Sequence, residues 1–122
     1  MKLHQAQVTG HNLFTGYGEG FVEINQVRHE GALIITGDEV QPWQVGSFAE
    51  LTPENFAALL PFAPEVVLFG SGSKQRFPHP RLYAALSAQH IGVEVMDTQA
   101  ACRTYNILLS EGRRVLLAVM GE

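Results

Sequence analysis

The chain has 122 residues, with 8 Lys and Arg against 12 Asp and Glu for a formal net charge of −4. That length predicts a single domain over residues 1–122, and the acidic balance is opposite in sign to a phosphate-neutralising surface, which argues against nucleic acid as a partner. At 46% hydrophobic and 16% charged the composition is globular, and the single cysteine, Cys102, with five dispersed histidines excludes an internal disulfide and offers no repeated metal-ligand spacing. No metal or other cofactor is expected, and His4, His11, His29, His79 and His90 read as surface or local polar residues.

From the N-terminus, Lys2 followed by polar Gln5, Gln7 and Thr9 lacks both the apolar centre of a signal peptide and the arginine-rich pattern of a transit peptide. The longest apolar runs, 57–60 and 115–120, fall far short of the roughly 20 residues that span a bilayer, so no membrane insertion is expected. The expected location is cytoplasmic. Gly10-His11-Asn12 and Gly16-Tyr17-Gly18-Glu19-Gly20 punctuate an extended N-terminal region. Phe21 to Ile24 and Ala32 to Thr36 read as strands, and Asn25-Gln26 between them predicts a hairpin. Trp43 and Phe48 read either as an exposed partner anchor or as loop aromatics folded onto the core.

Thr52-Pro53-Glu54 predicts a helix start, with Thr52 as cap and Pro53 at the first helical position; Pro61 and Pro64 end that helix. Val66-Val67-Leu68-Phe69 is apolar at every residue, as expected of a central strand covered on both faces. Residues 80–89 carry Leu82, Tyr83, Ala85 and Leu86 at helical spacing before Gly92, and Val93 to Met96 reads as the next strand. Thr98 is a cap for a helix running to Glu111, with Ala101, Tyr105 and Leu108 on one stripe and Gly112 in the left-handed position after it. Arg113-Arg114 complement its dipole, and Val115 to Val119 closes the sheet. The order of elements predicts an α/β fold: an N-terminal β-hairpin region followed by strand-helix crossovers.

Two loops carry the chemistry. Residues 70–76 leave a buried strand with Gly70 and Gly72, the hydroxyls of Ser71 and Ser73, and the cations Lys74 and Arg76. The loop reads either as an anion cradle or as a tight turn whose cations are solvated. It matches neither a dinucleotide fingerprint nor a P-loop. Asp97, Thr98, Arg103 and Asn106 lie at a strand-helix junction which, in a parallel sheet, falls on the same carboxyl edge, so the two loops should converge. Asp97 reads as a cap or as an acid, base or anchor. Asn106, inside a helix, predicts a local bond or an interface contact. Cys102 reads as a small apolar residue packed against the sheet, or as a nucleophile if a base approaches it in space.

The run Val95-Met96-Asp97-Thr98-Gln99-Ala100-Ala101-Cys102-Arg103-Thr104-Tyr105-Asn106, continuing through Glu111-Gly112-Arg113 and preceded by Leu68-Phe69-Gly70-Ser71-Gly72, resembles the signature of a known family. It is a widespread family of small single-domain proteins of unassigned function that includes mitochondrial complex I assembly factor 3 and archaeal and bacterial members. The shared positions are Gly70, Gly72, Asp97, Thr98, Ala101, Asn106, Glu111, Gly112 and Arg113, none with an established catalytic role. The resemblance implies a three-layer fold, a mixed β-sheet with helices on both sides. Its mitochondrial member assists assembly of the respiratory NADH dehydrogenase alongside other assembly factors. The expectation is therefore a non-enzymatic accessory or assembly protein that binds another protein. The competing expectation is an enzyme or sensor that holds a small anionic metabolite between residues 70–76 and 97–103.

Overall fold

The computed structural model describes residues 11–121, so the readings placed on His4 and the other residues before 11 lie outside the described residues. Three short strands, β1 (Phe14–Gly18), β2 (Phe21–Ile24) and β3 (Val27–Glu30), form an antiparallel sheet in the order β1-β2-β3. The expected turn at Asn25-Gln26 is present, both residues having positive φ (51° and 68°), the geometry of a two-residue hairpin. Its returning strand is β3, however, and not Ala32 to Thr36. Two left-handed residues reverse the chain at once, and the returning residues Val27, Arg28, His29 and Glu30 carry no apolar alternation because three of the four are exposed.

Leu33 opens the second sheet instead. β4 (Leu33–Ile35), β5 (Val40–Pro42), β6 (Val66–Gly70), β7 (Gly92–Met96) and β8 (Val115–Val119) are ordered β5-β4-β8-β6-β7. β6 runs parallel to β7 and β8, and β4 antiparallel to β5 and β8, so the sheet is mixed. The last of these strands does not close the sheet from an edge: β8 takes the middle, with β6 beside it, and every residue of both is buried.

Alternation along these strands builds the layers. Val66 and Leu68 of β6, with Val115, Leu117 and Val119 of β8, share one core with Ala101, Cys102 and Tyr105 and with Phe14, Val22 and Ile24 of the small sheet. Val67, Phe69, Leu116 and Ala118 face the other way, against Trp43, Phe56, Leu59 and Leu86. Trp43 is 4% exposed, and its indole N–H donates to the Asn55 carbonyl at 3.0 Å. It is a core residue, and its reading as an exposed partner anchor falls.

The helices follow their local signals with three differences. α1 (Pro53–Ala57) starts where expected, Thr52 Oγ1 accepting from the Asn55 N–H, but it ends at Ala57 and not at Pro61, which lies in a separate 3-10 turn, Leu60–Phe62, whose second residue a proline can occupy. Residues 80–89 form a 3-10 turn, Pro80–Tyr83, followed by a short α2 (Ala84–Ala88), rather than one continuous helix. α3 (Thr98–Ser110) is capped by Asp97, whose carboxylate accepts the Ala100 N–H at 2.8 Å, and not by Thr98. Asp97 is the residue with extended backbone, and the Thr98 hydroxyl is engaged elsewhere. Gly112 has the expected left-handed φ of +80°. α3 covers one face of the large sheet, α1 and α2 the other.

Candidate functional site

β6, β7 and β8 are parallel and end level, Gly70 standing opposite both Met96 and Val119. The loop after β6 and the start of α3 therefore meet at one edge, as expected. Gly72 N–H donates to Thr98 Oγ1 (3.0 Å), and Thr98 N–H donates back to the Gly72 carbonyl (2.8 Å). Gly70 lies close beneath the helix: a Cβ there would come within 3.2 Å of Val119 and 3.5 Å of Ala101. Gly72 holds φ +106°, a conformation that admits glycine best.

Ser71 organises the loop. It is fully buried, its Oγ accepts the Arg76 N–H (3.0 Å), and the Lys74 and Met96 carbonyls lie within donating reach at 2.6 and 3.1 Å. The Arg76 guanidinium curls back to donate to the Ser71 carbonyl through Nη2 and Nε (2.6 and 3.1 Å), and it lies 4.5 Å over the Phe48 ring. Among the described residues no buried side-chain polar atom lacks a partner.

Between this edge and the β1–β2 turn lies a cavity of about 410 Å³. Of the residues singled out by sequence, Gly72, Ser73, Asp97 and Thr98 line it, joined by Tyr17, Glu19 and Gln99. Gly70 and Ser71 lie beneath the lining. Lys74 is exposed, Arg76 is folded onto its own loop, and Arg103 reaches toward Tyr17. Asn106 leaves the site and brackets β1: it accepts the Phe14 N–H and donates to the Phe14 carbonyl, both at 2.9 Å. The expected interface contact of Asn106 is thus between α3 and β1 of the small sheet.

Of Tyr17, Glu19 and Gln99, the three lining residues named above that the sequence did not single out, Tyr17 makes the most contacts across the site. Its hydroxyl accepts from Gln99 Nε2 at 2.9 Å and Arg103 Nη1 at 3.5 Å. The Gln99 and Arg103 hydrogen bonds hold the phenol below its ordinary value of 10. The one signal available was the density of glycines around it, which marks a close turn without saying what the turn covers.

Cys102 is 1% exposed, and burial pushes its thiol from 9.0 up to about 12. The packed reading holds, because a thiol this protonated is a poor nucleophile. Native protein at pH 8 should resist alkylation by iodoacetamide, with rapid labelling after denaturation; rapid labelling of the native state would contradict the packing. A raised acid pKa favours the folded state below pH 9, and the corresponding stability is lost as pH rises from about 9 to about 12.

Among the described residues no helix is long and apolar enough to cross a membrane, and among them no group of three or more His, Cys, Asp or Glu is placed to hold a metal. A mixed five-stranded sheet covered on both faces, with a second small sheet pinned to one helix and a glycine loop locked to that helix's first turn, defines a class of compact α/β proteins. Residues 14–120 match the family described as "Protein of unknown function (DUF498/DUF598)", and the chain belongs to that family. It is 38% identical over 85 residues to NADH dehydrogenase (ubiquinone) 1 alpha subcomplex assembly factor 3 of Mus musculus, covering 68% of this chain and 46% of that protein. An uncharacterised protein of Rhodobacter capsulatus is 39% identical over 107 residues, 86% of this chain and 81% of its own. The crystal structure of a Bordetella parapertussis protein superposes with a TM-score of 0.86 at 42% identity, covering 93% of this chain and 98% of that one. The chain spans about half the length of the mammalian assembly factors it matches.

Proposed function

We propose that the chain is a non-enzymatic accessory protein, acting in the cytoplasm in assembly of a respiratory NADH dehydrogenase by binding another protein. The observation that carries this reading is its 38% identity, over 68% of its length, to a protein named as an assembly factor for that enzyme. The site geometry supports it. Ser71, Thr98 and Asn106 spend their polar groups on tying the loop after β6 to β7 and α3, and α3 to the small sheet, Arg76 and Asp97 spend theirs on their own loop and helix start, and Cys102 is packed away from solvent. These residues build a stable surface for association.

Deletion of the Rhodobacter capsulatus relative, followed by native-gel analysis of NADH dehydrogenase, tests the role. Assembly should fail in the deletion strain and return when this chain is expressed. Normal assembly in the deletion strain would refute the reading. Lys74→Ala should restore assembly as well as the unaltered chain, because Lys74 is an exposed residue on a loop held by its neighbours. Failure of that variant, together with anion-dependent thermal stabilisation of the unaltered chain, would replace the accessory role with ligand binding between residues 70–76 and 97–103.

A further inference from the structure

The edge of a sheet presents a row of unpaired N–H and C=O groups, and folded chains blunt such rows. The four edge strands of this protein are treated unequally. On β1 the Asn106 amide occupies both backbone groups of Phe14. β3 is four residues long and carries an Arg28–Glu30 ion pair at 3.0 Å. On β5 the Trp43 N–H donates inward to Ala32, which places residues 40 and 42 on the outer row, where Pro42 has no N–H to offer.

β7 has no comparable guard. Among the described residues it pairs with β6 alone. The Ser71 N–H donates to the Met96 carbonyl, so residues 92, 94 and 96 serve the β6 ladder and the backbone groups of Val93 and Val95 face outward. The contact on that outer row is the exposed Gln75, whose side-chain amide donates to the Val95 carbonyl at 3.0 Å. Two residues further along the same loop, Phe77 is 70% exposed, more than any other large apolar side chain described.

We propose that β7 accepts an extended segment of a partner protein as a sixth strand, with Lys or Arg opposite Glu94 and an apolar side chain against Phe77. This rests on the reading of the chain as a protein-binding accessory and names the surface involved. Gln75 acts as a placeholder, occupying the Val95 carbonyl until an incoming N–H replaces it. Glu94 decides between occupants. The fullest antiparallel pairing of β7 with a second copy sets Glu94 opposite itself, at the roughly 4.5 Å Cα separation of a non-hydrogen-bonded pair, and like charges there repel. A partner strand with a cation at that position turns the repulsion into attraction.

The test is a titration of the isotope-labelled full chain, followed by backbone amide shifts, with the capped peptide Thr-Val-Lys-Val-Thr and its counterpart Thr-Val-Glu-Val-Thr. The lysine peptide should move the amides of residues 93–95 and the Gln75 side chain, and the glutamate peptide should bind at least about fivefold more weakly. Gln75→Ala should bind the lysine peptide about threefold more tightly, because a competing hydrogen bond is gone. Val93→Pro should abolish binding, and if that variant fails to fold, the Gln75→Ala result decides alone. No shifts, shifts confined to β3 or the cavity, or equal binding of the two peptides would overturn the proposal. Concentration-dependent shifts at 93–95 without peptide would assign the edge to a second copy and overturn it too. The titration is independent of respiratory assembly. Peptide binding with normal assembly in the deletion strain removes the accessory role and keeps the edge; an assembly defect with no peptide binding does the reverse.

Discussion

Phe69→Ala is expected to cost about 3–5 kcal/mol of folding stability, read as a fall in the urea midpoint at unchanged m-value. Phe69 is fully buried, with ring centroids of Trp43, Phe56 and Phe48 at 6.1, 5.7 and 6.2 Å. Truncation removes the one ring these three share, and the surrounding strand cannot collapse to fill the space because β6 is paired on both sides. The site should feel the loss as well. Phe69 precedes Gly70, and the Phe48 ring that leans on it is the platform for Arg76. Amide exchange in residues 71–76 should therefore accelerate along with global unfolding. A loss below about 1.5 kcal/mol would mean that the aromatic cluster repacks around the missing ring.

Asn106→Ala is expected to cost about 2–4 kcal/mol, and to do so unevenly across the molecule. The side chain makes two hydrogen bonds to one residue of β1, and its removal leaves both the N–H and the C=O of Phe14 without partners at a part-buried position. Between α3 and the small sheet there then remain the edge-to-face contact of Phe14 with Tyr105, at 5.1 Å, the Tyr105 hydroxyl on the Asn12 carbonyl, and the apolar packing of Val22 and Ile24 in the shared core. Hydrogen exchange should rise in β1, β2 and β3 well before it rises in β6 and β8. Equal acceleration in both sheets would show that they unfold as one unit and that the bracket does not hold the small sheet to α3 independently. Asn106→Asp should be no milder, since a carboxylate accepts the Phe14 N–H but faces the Phe14 carbonyl without a proton to donate.

The parts of this fold legible in the sequence are those set by local rules. Thr52-Pro53 starts a helix because a capping hydroxyl and a fixed φ act over three residues, and Gly112 ends one because its φ of +80° is a property of a single residue. β6 and β8 announce burial by being apolar at every position. Strand order is different in kind. Nothing near Val115 says that β8 sits between β4 and β6, and Val27–Glu30 looks polar because neither face of β3 is covered. The site divides the same way. The convergence of residues 70–76 with the start of α3 followed from parallel strands, whereas the destinations of its cations did not. Arg76 folds onto Ser71 and Phe48, and Arg103 reaches across to Tyr17, 86 residues away in the chain. Tertiary geometry alone fixes such partners.

The middle strand of the large sheet is also the last one described, and this has a consequence for how the chain comes to be folded. As the protein leaves the ribosome, β4 and β6 emerge with no strand to bridge them, since each pairs directly with β8 and not with the other. The small sheet, built from neighbours in sequence, can form early, but the large one waits for residues 115–119. Until then β4 and β6 lack the strand that joins them, so the topology predicts that the large sheet completes late, after the small one.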